Sequence, residues 1–246
     1  MRLAAQATGG FYPAHEQAIA QVVSFLHAPS AEPFTILDPC AGEGNAVRQF
    51  AELLNCPLDS TYAIELDESR AEALGRTLPD AHVLAPADFF GCRASRNSFS
   101  FVWLNPPFDY AYGGYRMEEQ FLWRATDWLM PGGVMALVCP ENVVDEYSEA
   151  RRHFTTFYEN CMIVPFPEAH RPFREVVVLG HKRIRPEVPR KDSSERQRWE
   201  SVQAPMGFRY QIPAGTGPRR EPQPSIASGW RTRRSMGPPR TSPPRS

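Results

Sequence analysis

The strongest constraint on the fold is a mid-chain stretch, Phe99-Ser100-Phe101-Val102-Trp103-Leu104, that runs directly into Asn105-Pro106-Pro107-Phe108. A short aromatic and β-branched run bounded by proline reads as a buried strand. The four residues after it then sit where a strand ends and a loop begins, the place where open α/β sheets bind ligands. Two consecutive prolines fix the backbone and delete two N–H donors, so the carbonyls of Asn105 and Pro106 become a rigid acceptor set facing a cleft. The Asn105 side-chain oxygen and the Pro106 carbonyl suit an amine whose lone pair is delocalised into a ring, and Phe108 offers that ring a flat face. The same tetrapeptide also suits a plain turn after a core strand, so the flanking pattern has to decide.

Upstream, the strand Phe34-Thr35-Ile36-Leu37 feeds Asp38-Pro39-Cys40-Ala41-Gly42-Glu43-Gly44-Asn45 and then a helix expected to face Ala46, Val47, Phe50, Leu53 and Leu54 inward. A Gly-x-Gly turn between strand and helix brings backbone close to a nucleotide-like ligand. The position of a third glycine holds Val47, which removes the pyrophosphate-loop reading. Asp38 would repel a diphosphate but suits a ligand with an ammonium group. A second strand, Tyr62-Ala63-Ile64, ends at Glu65, 27 residues after Asp38, a spacing that places a carboxylate where it accepts ribose hydroxyls, while Asp67 reads as solvated. His82-Val83-Leu84 reads as a third strand, with Asp88 and Phe89 in the loop behind it.

Thr8-Gly9-Gly10-Phe11-Tyr12-Pro13 opens an amphipathic helix carrying Ile19, Val22, Val23 and Leu26; the glycines and aromatics suit a lid, and His15 reads as a cap or surface residue. Beyond Phe108, a Tyr- and Gly-rich loop including Tyr110 precedes a helix whose stripe of Met117, Phe121, Leu122, Ala125, Trp128 and Leu129 reads as core. Pro131-Gly132-Gly133 is expected to turn into the strand Val134–Val138. A helix through Ala150, Phe154 and Phe157 leads to two apolar strands, Met162–Phe166 and Glu175–Leu179, joined by too few residues for a crossover helix and therefore antiparallel.

In combination these motifs carry a family resemblance. Asp38-Pro39-Cys40-Ala41-Gly42-Glu43-Gly44 resembles the first motif of class I methyltransferases, and Asn105-Pro106-Pro107-Phe108 resembles the NPP-aromatic motif of adenine-specific (N6) DNA methyltransferases, with the cofactor motif first. The resemblance spans about residues 8 to 182. It implies an α/β, Rossmann-like class I methyltransferase fold: a seven-stranded, mostly parallel sheet in the order 3-2-1-4-5-7-6 with a terminal antiparallel hairpin. The implied cofactor is S-adenosyl-L-methionine, contacted by Phe11, Tyr12, Pro13, Asp38, Pro39, Ala41, Gly42, Gly44, Glu65, Asp88 and Phe89. The implied reaction is methyl transfer to the exocyclic amine of adenine in DNA, carried by Asn105, Pro106, Pro107 and Phe108, with Tyr110 and Phe173 on the target base. Related motifs act on guanine amines of RNA and on protein glutamine, so those acceptors stay open, as does a non-catalytic module of this fold that binds nucleic acid or another subunit.

A net charge of −1 conceals an asymmetry: residues 183–246 hold 14 Lys and Arg against 5 Asp and Glu, and 11 of the 25 prolines. This gives a domain at 1–182 and a basic tail expected to be mostly disordered, apart from a short strand or docking segment at Phe208–Pro213. Such a tail offers charge to nucleic acid; a recognition or restriction partner is the alternative source. Five scattered cysteines without a CxxC pair indicate neither a disulfide framework nor a metal site. Without a long apolar span or a signal-peptide core, a cytoplasmic protein with no membrane contact is expected.

Overall fold

The elements follow the alternation of apolar runs and amphipathic stretches. The structure is a computed structural model and describes residues 14–110, 114–145, 148–167, 174–187, 193–218 and 223–224; Phe11, Tyr12, Pro13 and Phe173 lie outside the described residues. Helix α1 (Glu16–Val23) leads to β1 (Leu26–His27). Then β2 (Ile36–Asp38) is followed by α2 (Asn45–Leu54), β3 (Thr61–Ile64) by α3 (Glu68–Thr77), and β4 (His82–Leu84) by the short β5 (Cys92–Arg93). Next come β6 (Phe99–Leu104), α4 (Met117–Trp128), β7 (Leu129–Pro140), α5 (Glu149–Phe157), β8 (Tyr158–Pro165) and β9 (Glu175–Lys182). The chain continues through α6 (Glu195–Val202), β10 (Tyr210–Gln211) and β11 (Gln223–Pro224).

Seven strands form the main sheet in the order β4-β3-β2-β6-β7-β9-β8. Numbered along the chain, that is 3-2-1-4-5-7-6. The pairs from β4 to β7 are parallel, and β9 runs antiparallel to both β7 and β8. Strand β6 is central and buried throughout, because helices cover both faces of the sheet. One face carries Phe101 and Trp103 against Phe50 of α2, with ring centroids 5.1 and 4.9 Å apart. The other carries Phe99, Val102 and Leu104 in a cluster with Phe121, Leu122 and Trp128 of α4. Among the described residues, no helix is long and apolar enough to cross a membrane.

Three expectations change. Leu53 is 47% exposed rather than core, since the helical repeat turns Val47, Phe50, Ala51 and Leu54 inward. Pro131-Gly132-Gly133 is no turn before a strand: β7 runs through it, and the register slips between Phe99 and Phe101 where Gly132 takes φ +75°. The extra backbone is absorbed as a bulge.

The third change is at the C-terminal end. Residues ahead of Phe208 that were expected to be disordered pack into the domain: Trp199 and Val202 are buried, and the Arg151 guanidinium lies 4.9 Å over the Trp199 ring. The Phe208–Pro213 stretch docks as expected, with Tyr210 and Ile212 buried, β10 pairing parallel to β1 and the Tyr210 hydroxyl donating to the Asn160 carbonyl. The chain then crosses the N-terminal ends of the parallel strands, where Gly215 N–H donates to the Pro33 carbonyl at 2.7 Å, and β11 pairs antiparallel with β5. Average composition misleads because the few large apolar side chains are concentrated in one stretch.

Tyr210 tests this strap. Tyr210→Ala removes a fully buried ring, so stability is expected to fall by about 3–5 kcal/mol and the melting temperature by roughly 10 °C. A thermal melt of the intact chain within a degree or two of the parent would show the strap to be dispensable.

Candidate active site

Four side chains stand at the C-terminal ends of neighbouring parallel strands. Asp38 is the last residue of β2, Glu65 follows β3, Asp88 follows β4 and Asn105 follows β6. Backbone bonds stitch the loops together in the same order: Ala41 N–H donates to Ile64 O at 2.9 Å, Glu65 N–H to Leu84 O at 3.1 Å and Ala87 N–H to Glu65 O at 2.7 Å. Between β2 and α2 the chain turns through Gly42 and Gly44 at φ +57° and +88°. A Cβ on Gly44 would lie 2.7 Å from Cδ1 of Leu74, so close packing and left-handed backbone both demand glycine there. Gly44 is also the N-cap of α2 and supplies no side-chain hydrogen bond, leaving the first-turn amides of that helix available to a ligand.

Glu65 is buried and heavily engaged. Its Oε1 accepts from Asp67 N–H at 2.7 Å and from Arg70 Nη2 at 2.8 Å, and its Oε2 accepts from Gly42 N–H at 2.8 Å. The carboxylate expected to meet two ribose hydroxyls therefore keeps lone-pair capacity chiefly on Oε2. Asp67 is not merely solvated: it caps α3 by accepting from Ser69 N–H at 2.7 Å. Asp38 is buried too, and its Oδ1 accepts from Cys40 N–H at 2.9 Å. Burial pushes the Asp38 carboxyl up to about 7, against the Cys40 N–H and reinforced by the charge of Glu65.

Two cavities meet at this row. The larger, of about 140 Å³, runs between Glu65, Leu66, Asp88 and Phe90, with Phe89 and Phe121 among its walls. Pro39 and Pro107 line it as well. The smaller, of about 30 Å³, is bounded by Asp38, Ala41, Asn45, Trp103 and Asn105, and by Ala14, the first described residue after the expected lid. Cys40 and Asn105 belong to both. A ligand reaching from one to the other must pass Asn105.

The remaining expected residues fall around this row in different ways. Asp88 is exposed at the larger cavity and accepts from Phe90 N–H at 3.0 Å. Phe89 is buried, stacked 5.2 Å from Phe121, so the stripe read as pure core on α4 also walls the cavity through Phe121 and Met117. Pro106 is buried, whereas Phe108 is half-buried, packs on the core cluster that includes Phe166, and lines neither cavity. Tyr110 is 67% exposed beneath the Arg116 guanidinium, 5.1 Å from its ring, and lines neither cavity. Its loop is anchored from the helix side, where Arg116 Nη2 donates to buried Glu118 at 2.6 Å. Burial holds the Glu118 carboxyl above its usual range, opposed by that same arginine.

Sequence reading missed Cys40, Leu66, Arg70, Phe90 and Trp103. Leu66 carried a usable signal, a large apolar residue left 68% exposed directly after the acidic strand end. Among the described residues, no group of three or more His, Cys, Asp or Glu is placed to hold a metal ion.

Comparison with known proteins follows from this geometry. The model of a family described as an uncharacterised methyltransferase family, DUF6094, matches residues 1–210. No curated protein sequence matches significantly. Among solved structures, a Listeria monocytogenes protein described as a class I S-adenosylmethionine-dependent methyltransferase aligns with TM-score 0.57 at 14% identity, over 73% of this chain and 62% of that one. The type I restriction-modification methyltransferase subunit of Streptococcus thermophilus aligns with TM-score 0.52 at 17% identity, over 71% and 45%. The M protein of the type I restriction enzyme EcoKI aligns with TM-score 0.54 at 18% identity, over 70% and 44%. The chain thus spans less than two thirds of each of these relatives, and at such identities the likeness is one of fold.

The loop geometry predicts opposite outcomes for two glycines. Gly44→Ala forces a left-handed alanine against Leu74 and is expected to cost about 1–3 kcal/mol, whereas Gly75→Ala, in open space within α3, is expected to be neutral or to gain up to about 1 kcal/mol. Urea unfolding of the two variants measures the contrast.

Proposed function

The chain belongs to this methyltransferase family, and from that premise we propose that it transfers a methyl group from S-adenosylmethionine to the exocyclic amine of adenine in DNA. S-adenosylmethionine is the cofactor that the class I fold implies. The observation that carries the proposal is Asn105-Pro106-Pro107 at the end of β6, with Asn105 in the wall of both cavities.

The residues present fit the cofactor. Glu65 Oε2 suits a ribose hydroxyl, Asp88 suits the amine of an adenine lying against Leu66 and Phe89, and Asp38 suits an ammonium group. When bound, the cofactor supplies an electrophilic methyl carbon on a sulfonium. The protein's part is placement. Asn105 Oδ1 and the Pro106 carbonyl accept the two hydrogens of the target amine, drawing its lone pair out of conjugation and towards that carbon. The methyl group would pass to the amine nitrogen as its bond to sulfur broke, and the amine, acidic only after attack, would lose one proton to water. No strong base is required.

A target base in duplex DNA has to leave the stack at a cost of a few kcal/mol. Stacking on an aromatic is worth roughly 1–3 kcal/mol per base, so Phe108, with Phe173, is proposed to offset much of it. Residues 1–182 hold 13 Lys and Arg against 23 Asp and Glu, a balance poorly suited to phosphate. We infer that the Arg-rich C-terminal residues or a recognition partner supply the missing charge. That same acidic balance favours, as a second reading, a protein glutamine, whose planar amide offers a similar amine without phosphates.

Two outcomes test the proposal. Asn105→Ala is expected to lower transfer of labelled methyl groups by about a hundredfold or more while S-adenosylhomocysteine still binds within a few-fold. Incubating the parent with DNA, RNA and total protein in parallel, and sequencing modified bases, identifies the acceptor; label in none of the fractions would leave only a non-catalytic module.

The second outcome is a pH dependence. With its folded-state carboxyl raised to about 7, Asp38 contributes stability that is complete below the ordinary carboxylate range near pH 4 and is lost as pH rises through about 7. An ammonium ligand prefers the ionised form, so its affinity should run the opposite way. Calorimetry is expected to show S-adenosylhomocysteine binding tighten by about an order of magnitude between about pH 5.5 and 7.5. In Asp38→Asn that slope should vanish.

A further inference from the structure

Trp103 is fully buried in β6, yet among the described residues its indole Nε1–H has no hydrogen-bond partner. A buried donor without an acceptor is uncommon and disfavoured, because the lost hydration is not replaced. The side chain lies in the wall of the smaller cavity, beside Asp38 and Asn105, and its ring is held in place by Phe50 at 4.9 Å. The same cavity is lined by Asn45 and Ala46, the first residues of α2, a ten-residue helix whose N-terminus carries no side-chain cap. Unused amides and the positive end of the helix dipole therefore face the space that the indole borders.

The charges around this cavity narrow what belongs there. Asp38 and Glu43 line it, and among the described residues no Lys or Arg does. An ammonium group beside Asp38 is straightforward, but the carboxylate of an amino-acid tail entering the same space must be met by neutral N–H groups. The indole N–H and the α2 amides are such groups, and they come from different elements than Asp38. We propose that Trp103 is a cofactor-binding residue whose indole N–H, together with the first-turn amides of α2, holds the carboxylate of the cofactor's methionyl tail. The inference rests on the S-adenosylmethionine reading and deepens it: β6 then contributes Trp103 to the tail and, two residues on, Asn105 to the reaction, so donor and acceptor are placed by one rigid strand.

The test compares two ligands that differ only at the tail, S-adenosylhomocysteine and 5′-methylthioadenosine, which lacks the amino-acid group. With tryptophan labelled by ¹⁵N in the full chain, the Trp103 indole resonance, assigned through its contacts to the Phe50 ring, is expected to move downfield on adding S-adenosylhomocysteine and to stay put with 5′-methylthioadenosine. By calorimetry, Trp103→Phe should weaken S-adenosylhomocysteine about tenfold to a hundredfold, as for a hydrogen bond to a charged group, and leave 5′-methylthioadenosine within about twofold. An equal loss for both ligands, or an indole signal that ignores the tail, overturns the assignment; the resonance measurement needs no mutation and so decides even if Trp103→Phe does not fold. If the unmutated chain fails to bind S-adenosylhomocysteine at all, the cofactor reading falls too, whereas binding without a Trp103 response removes this inference alone.

Discussion

The buried Glu65 carboxylate holds the site in register. It gathers N–H donors from three places: Gly42 in the glycine loop, Asp67 at the start of α3 and Arg70 one turn into that helix. A carboxylate taken out of water is tolerated only when its oxygens are met by such donors. One side chain thus fixes the loop after β2 to the loop after β3. The backbone bonds between Ala41 and Ile64, and between Ala87 and Glu65, carry that alignment across three adjacent strands. The glycine loop keeps its left-handed turns because Leu74 and Leu78 of α3 close over Gly44. The cofactor contact proposed for Glu65 and the loop architecture therefore depend on the same atoms, which leaves its carboxylate only partly open to a ribose.

A second consequence follows for charge. Asp38 and Glu65 are both buried, but the donors are unequally shared: Glu65 has an arginine, whereas Asp38 has a single Cys40 N–H at 2.9 Å. The unequal sharing leaves Asp38 as the carboxyl pushed up to about 7. Among the described residues no Lys or Arg pairs with Asp38, so a cationic ligand supplies the compensation that the protein alone does not. In the proposed reaction that charge is the ammonium of the cofactor's tail, separate from the sulfonium that carries the methyl group.

The strand-end residues were legible in the sequence because the signal is local. A strand, its terminal residue and the loop behind it are consecutive, so Asp38, Glu65, Asp88 and Asn105 were found by reading along the chain, and parallel pairing then brought them into one row. What lay across the fold was not legible. Arg70 counts as a site residue only because α3 folds it back onto Glu65, and the helical stripe of Met117 and Phe121 cannot announce from periodicity that one end of it borders a cavity. Phe108 is half-buried on the core cluster beside the cavities, so the stacking role proposed for it is read from its motif and not from a cavity wall. Of the C-terminal strap, Phe208–Pro213 was legible as a docking segment from its alternation, whereas the burial of Trp199 and Val202 was not, because proline and arginine dominate residues 183–246 on average.

The strap also clarifies the division of labour between the two ends of the sheet. Ligand-facing groups occupy the C-terminal ends of the strands, where loops can vary without disturbing the core. The chain from Tyr210 to Gly217 runs past the opposite ends, bonding to Phe25, His27 and Pro33 and lying against Tyr62. Buried apolar surface added there stabilises the sheet from the end opposite the candidate site. Because β6 is central in the sheet and buried on both faces along its length, any side chain at its end inherits the rigidity of the whole sheet. In the proposed reaction the acceptor set has to align an amine to within fractions of an ångström, which gains most from such a position, and Asn105 and its two prolines stand there.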